Sequence, residues 1–292
     1  MVGTRNGRDA FLFLLPAGLL YFGFLHGPIF GAILISFADY DIISPIRFIG
    51  FENYIRLFTS ERTLGIYRTT FRIAIPLVVL HGTIGLGLAL LVKSVHERWQ
   101  GFFRIMFYLP VVITTASMAI AWSFLFNYHF GAVNWMLARL GMAPVPWTIS
   151  SEHVFRTIYI FSIWKFVGTS FMYYYIGLNG IPEQYYEAAV VDGAGPLARF
   201  RYVTLPMLTP TIFFVVTILC IRTVQMFDEP YFLTGGGPGD ASRTLNLHIY
   251  ETAFRSYDMG FASAVSVTLL LILIVFTIFQ NVMSRKWVNY DR

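Results

Sequence analysis

Of 292 residues, 56% are hydrophobic and 18% aromatic, only 13% are charged, and the mean hydropathy is +0.62. Soluble domains carry about 25% charged residues, so this composition excludes a cytosolic enzyme, a nucleic-acid-binding module and a disordered regulator. It points to an all-α protein that crosses the bilayer several times, in which the net charge of +5 sets orientation and does not mark a nucleic-acid partner.

A bilayer core takes about 20 apolar residues of helix. Six stretches meet that length: residues 11–37, 71–92, 105–126, 154–178, 208–227 and 260–283. The first follows Arg5 and Arg8, as a signal peptide would, yet it outruns a usual apolar core and meets no small-x-small cleavage site before Asp39. It reads as a retained anchor. Gly23, Gly27 and Gly31 put small residues on one face of it, and Gly82, Gly85 and Gly87 do the same in the second stretch. Pro28 and Pro76 are expected to bend their helices. His26 and His81 read as packing or hydrogen-bonded side chains. Cys220, the single cysteine, has no partner for an internal disulfide, and no Cys/His cluster points to a metal.

With a cytoplasmic N-terminus, the inner segments hold ten Lys and Arg in 60 residues and the outer loops seven in 92. The density favours both termini inside, although Arg47, Arg56, Arg62 and Arg68 oppose it. The chain thus divides into a tail at 1–10, one membrane domain at 11–283 and a tail at 284–292. A charge at mid-membrane costs ~2.5–3.5 kcal/mol, so Lys165 and Arg222 belong in the protein interior or at a subunit interface. Lys165 is the better candidate for a solute path, whereas Arg222 has Asp228, Glu229 or a partner subunit to pair with. Trp122, Asn127, Trp164, Tyr173, Tyr174 and Gln225 offer ring faces and hydrogen-bonding groups to the same path, against the plainer reading that such aromatics mark the membrane interface.

The inner loop at 179–207 is more structured than a linker needs to be. Pro182 and Glu183 suit a helix start, and Gly193 after Asp192 supplies a left-handed stop. A second short helix, about 196–203, is expected to end near Leu205-Pro206. The plain alternative is an interfacial segment anchored by Tyr185, Tyr186 and Phe200. The outer loop after the fifth stretch holds Phe227-Asp228 and then Leu233-Thr234-Gly235-Gly236-Gly237-Pro238. Its glycines let it bend. No Lys-Ser/Thr follows them, so they cradle no nucleotide phosphate.

Glu187-Ala188-Ala189, three residues, Gly193, nine residues, Val203, one residue, then Leu205-Pro206 resembles the EAA motif of ABC importer permeases, with valine where that motif has isoleucine. The stretch EAAVVDGA, the outer-loop run, Trp164-Lys165 and Gly50-Phe51-Glu52-Asn53-Tyr54 are similar to the MalF/UgpA-like sugar permeases, with Phe51 for the family's leucine. The resemblance covers nearly the whole chain. It implies a MetI-like six-span permease fold with a cytoplasmic coupling helix, in a prokaryotic inner membrane. The implied partners are a second, different permease, two ATPase subunits and an extracytoplasmic solute-binding protein, with a carbohydrate as cargo. No cofactor is implied on this chain, and ATP with Mg²⁺ is implied on the ATPase. Carried over, Glu187 contacts the ATPase, Ala188 and Ala189 allow close approach, Asp192 and Gly193 make the turn, and Leu205 and Pro206 fix the elbow to the next helix.

Other readings stay open at this point. They are a permease for osmolytes, amino acids or phosphate, an ion-coupled secondary transporter, and an intramembrane aspartyl protease. The last is prompted by Gly237-Pro238-Gly239-Asp240, with Tyr40-Asp41 and Tyr257-Asp258.

Overall fold

A computed structural model describes residues 5–288. It is almost entirely helical, with one two-stranded antiparallel ribbon pairing Ala38 with Phe48 and Asp39 with Arg47. The six expected spans are not what forms. Among the described residues, three helices are long and apolar enough to cross a membrane, Asp9–Ile35, Glu61–Ser94 and Met259–Ser284, or up to five if each of two bent pairs is one span.

The corrections have physical causes. The stretch at 105–126 is cut by two consecutive extended residues, Ile113 and Thr114, which turn Thr115–Leu125 by 91° from Glu97–Val112. The stretch at 208–227 begins instead at Thr209, at a 65° bend from Pro196–Met207. Helix Val154–Asn179 has the length of a span, but Arg156, Lys165 and several Ser and Thr dilute its apolarity, and more than half of its residues are buried.

The chain forms two compact units, one holding the chain up to Leu64 with His248–Leu271, the other Gly65–Leu247 with the residues after Leu271. In the first, no residue of Asp9–Ile35 is fully buried, and an added Cβ at Gly23 or Gly31 meets no atom within 4 Å. A π-turn at Phe22–His26 precedes Pro28 and absorbs its missing N–H. The run at 50–54 is a bolt. Gly50 takes φ +61°, Asn53 Nδ2 donates to the carbonyls of Ser36 and Ala38 at 3.0 and 2.9 Å, and the Tyr54 hydroxyl meets Ser36 Oγ at 2.7 Å.

In the second unit, Val154–Asn179 is the axis. One apolar cluster gathers Ala89, Val92, Phe171, Tyr174, Leu178, Leu208, Val215 and Leu219. Another gathers Ile73, Leu77, Ala119, Ile158, Phe161, Met226 and Leu233 around the opposite end of the same helix. Contact with lipid gives little net hydrophobic gain, so close approach at small residues carries the packing. A Cβ added at Gly168 meets Phe107 C and Tyr108 Cα at 3.0 and 3.1 Å.

Candidate functional site

The elbow forms where the residues expect it. Helix Glu183–Val191 starts after Pro182 and stops at Gly193, which has φ +76°. The Ala194 N–H reaches back to the Ala189 carbonyl at 2.8 Å, and the Gly193 N–H to the Val190 carbonyl at 3.0 Å. This paired arrangement satisfies the open carbonyls of a helix end and needs the left-handed residue that glycine supplies without strain. Gly195 is extended and Pro196 opens the next helix. That helix does not end at Leu205-Pro206. It runs on to Met207 through a π-turn at Phe200–Thr204, where the Leu205 N–H donates to the Phe200 carbonyl. The wider turn makes room for Pro206, which can neither donate nor fit an ordinary α-turn. Tyr186 Oη and Thr204 Oγ1, 3.0 Å apart, tie the two arms together.

This makes a stiff element with an open outer surface. Glu187, Ala188, Asp192 and Gly193 are exposed, and Ala189 is half-buried. Val191 is 87% and Leu197 79% exposed. Beside them lies a groove of about 780 Å³, lined by Lys93, Glu183, Tyr186, Glu187, Val190 and Arg199 among others. Lys93 Nζ, held on the Leu178 carbonyl, moors the groove to the central helix. Apolar side chains around an exposed acid suit protein docking.

The solute-path candidates fall into separate places. Arg222, Gln225 and Asp228 come together with Thr115, Phe166 and Glu229 around a cavity of about 250 Å³. Arg222 pairs with Glu229 at 3.3 Å, and its guanidinium lies 3.1 Å from the centre of the Phe166 ring. Burial pushes the Glu229 carboxyl up, and the guanidinium beside it pulls it back. Trp122 and Trp164 pack together with ring centres 4.9 Å apart and planes tilted by 35°, in the apolar cluster with Phe161. Tyr174 is buried in the other cluster, and Tyr173 packs edge-on against Phe214. Asn127 is spent on its own turn, accepting from the N–H groups of His129 and Phe130. The Lys165 ammonium donates to three backbone carbonyls and lies 1% exposed. Thr115 and Phe166 were not singled out from sequence, where nothing marked them, whereas Glu229 was named there as one of the acids open to Arg222.

The outer glycine loop is braced. Gly235, Gly236 and Gly239 take φ of +63°, +78° and +60°, and Gly237-Pro238 is cis. Ser242 Oγ donates to the Gly237 carbonyl at 2.8 Å and meets Thr234 Oγ1 at 2.7 Å. Asp240 is ion-paired with Arg243, Asp258 with Arg56, and Asp41 accepts from the Ser44 N–H, which holds its carboxyl below the usual range. Each acid is committed to a neighbour near it in the fold, unlike a proton-sharing catalytic pair. Among the described residues, no group of three or more His, Cys, Asp or Glu could hold a metal ion.

Lipid-length apolar helices, broken helices packed on a buried axis and a stiff exposed elbow define a multi-pass membrane permease. Residues 82–289 match the family described as "Binding-protein-dependent transport system inner membrane component", and the chain belongs to that family. It is an inner-membrane transport subunit and not an enzyme. It is 33% identical to the probable ABC transporter permease protein YurN of Bacillus subtilis, over 95% of this chain and 96% of the relative. It is 31% identical to the trehalose/maltose transport system permease protein MalF of Thermococcus litoralis, over 94% and 92%. It is 36% identical to the sulfoquinovosyl glycerol transport system permease protein SmoG of Agrobacterium fabrum, over 89% and 85%. Among solved structures, a bacterial ABC transporter involved in import of the acidic polysaccharide alginate shares the fold, with a TM-score of 0.86 at 24% identity over 97% of this chain and 98% of that one. The MetNI methionine transporter reaches only 0.54, at 13% identity over 79% of this chain and 100% of that one. The fold is therefore of the alginate-importer type, which corrects the MetI-like expectation.

Proposed function

We propose that this chain is one half of the translocation path of an ABC importer for a carbohydrate-type solute. In this reading it works with a second permease, two ATPase subunits that bind ATP and Mg²⁺, and an extracytoplasmic solute-binding protein. Both termini and the elbow lie on the cytoplasmic side, where residues 187–193 seat on the ATPase. Leu205 and Pro206 carry the ATPase movement into the helix that ends at Arg222 and Gln225. The membrane domain spans 11–283, with the tails 1–10 and 284–292 inside; residues 1–4 and 289–292 of these tails lie outside the described residues. The outer loop with Asp228, Gly235, Gly236, Gly237 and Pro238 faces the binding protein as a braced surface.

One observation carries the proposal: Glu187, Ala188 and Gly193 stand exposed on an element locked by its own turn and tied at Tyr186 to Thr204. A rigid body exposed to docking transmits a push to the helix that follows it, whereas a floppy loop would absorb it. The solute class rests on relatives whose names specify trehalose/maltose, sulfoquinovosyl glycerol and sn-glycerol-3-phosphate, all rich in hydroxyl groups.

The test is reconstitution of the complete assembly with its binding protein, loaded in turn with maltose, trehalose and sn-glycerol-3-phosphate, and with betaine and methionine as other solute classes. ATP-dependent uptake of at least one hydroxyl-rich solute, lost in Glu187→Ala with the protein still assembled, is the expected outcome. Uptake driven by an ion gradient without ATP, or uptake confined to betaine or methionine, would contradict it.

A further inference from the structure

The 91° break between Glu97–Val112 and Thr115–Leu125 raises an accounting problem. The last turn of any helix leaves carbonyls without intrahelical donors. At membrane depth no bulk water is present to satisfy them, so broken helices persist only where the protein supplies partners. Here the supplier is one side chain, reaching in from helix Val154–Asn179. Lys165 Nζ lies 2.7 Å from the Pro110 carbonyl, 3.0 Å from that of Val111 and 2.7 Å from that of Ile113. An ammonium has three donors, and all three are used. Its charge also sits at the negative end of the helix dipole, where a cation is favoured.

Both arms of the break rest on the helix that carries this lysine. The Glu97–Val112 arm approaches it at Gly168, where no Cβ would fit, and through Phe107 against Phe171 at 5.5 Å between ring centres. The Thr115–Leu125 arm rests on it through Trp122 against Trp164 and Phe161. The first residue beyond the break is Thr115, which lines the cavity with Arg222, Gln225 and Glu229.

We propose that Lys165 is the pin of this broken helix. Its ammonium closes the carbonyl end of Glu97–Val112, fixes the direction in which Thr115–Leu125 departs, and so sets Thr115 at the wall of the Arg222–Gln225 cavity. It is a positioning residue acting through the bend, not a ligand for passing solute. The role of the cavity in passage rests on the function proposed above; the pin itself does not.

The experiment uses the assembled transporter in lipid, with Cys220→Ser as background. Spin labels at Phe102 and Phe124, both exposed, report the bend as a distance distribution. A separate Thr115→Cys variant reports the cavity wall by its rate of reaction with the water-borne cation methanethiosulfonate ethylammonium. The intact pin gives a narrow distance and a reactive Thr115→Cys. Lys165→Met, of similar length but without donors, should broaden or shift the distance and slow the Thr115→Cys reaction by roughly tenfold or more. Adding Thr114→Pro should restore both in part. Residue 114 already has φ −57° after an extended neighbour, which suits proline, so that change locks the bend without the ammonium.

An unchanged distance in Lys165→Met overturns the pin. So does failure of Thr114→Pro to recover any of the lost distance, or to recover assembly should Lys165→Met alone not assemble. A native-state check needs no variant. Of the three lysines in the chain, reductive methylation of the intact assembly should modify exposed Lys286 and spare Lys165, and equal modification would overturn the enclosure. If the distance responds but Thr115→Cys never reacts in the pinned protein, the pin stands and the role of the cavity in passage falls.

Discussion

Gly193 separates the elbow's geometry from its chemistry, because an added Cβ there meets no atom within 4 Å while φ is +76°. Within this chain, an added Cβ at this position therefore meets backbone strain and no clash. A left-handed conformation costs an ordinary residue about 1–2 kcal/mol, a β-branched one falls at or above the top of that range, and asparagine tolerates it. If coupling needs the turn intact, Gly193→Val should lower the equilibrium constant for the competent elbow by roughly 30-fold, using about 2 kcal/mol and 1.36 kcal/mol per decade. Gly193→Ala should lower it by about fivefold on the same scale, from about 1 kcal/mol. Gly193→Asn should stay near the parent. The assay is ATP-driven uptake in proteoliposomes alongside ATP hydrolysis, with the amount of assembled complex measured for each variant. Uptake should fall in the order Asn, Ala, Val while assembly is retained. Equal uptake in Val and the parent, or a loss in Asn as deep as in Val, would refute the reasoning.

Arg222→Met strands the Glu229 carboxylate in a 4% exposed position. It should cost about 3 kcal/mol in detergent unfolding, whereas Arg222→Met with Glu229→Gln should recover most of that; equal losses would deny the pairing. Gly168→Ala forces a methyl onto the backbone at Phe107 and should destabilise by about 1–3 kcal/mol. Gly87→Ala, with nothing within 4 Å, should be neutral or slightly stabilising, and thermal melts of the two distinguish close packing from general helix propensity. Gly236→Ala sets a Cβ 3.1 Å from Leu247 Cδ2 at φ +78° and should lower the melting temperature, whereas Gly239→Asn, at φ +60° with open space, should be tolerated.

What the residues disclosed in advance was local. Pro182, Asp192 and Gly193 carry helix punctuation within a dozen positions, so the elbow was legible, whereas the run at 50–54 showed only a family resemblance and not the bonds Asn53 makes. What stayed hidden depends on partners far along the chain. The run at 105–126 is apolar apart from Pro110, Thr114, Thr115, Ser117 and Ser123, and these alone do not announce a right-angle break, because the group that satisfies the broken end is Lys165, 52 positions beyond Ile113. The same distance makes Lys165 look like a lone charge on a path when read by position alone. The fifth stretch starts within one residue of the expected 208, whereas the π-turn that carries the preceding helix through Pro206 to Met207 was not legible. Thr115 reaches the cavity only through the bend, and Phe166 only through the packing of the helix that carries Lys165, so no composition or spacing marks them.

The central claim is that a cytoplasmic ATPase grips the elbow, and Val191, 87% exposed beside Gly193, is the place to probe it. A cysteine introduced by Val191→Cys in the Cys220→Ser background should be modified by a membrane-impermeant maleimide only from the cytoplasmic side. In the assembly it should cross-link to the ATPase with a yield that changes when ATP binds. Modification from the outer face, or no ATPase adduct in any nucleotide state, would contradict the account.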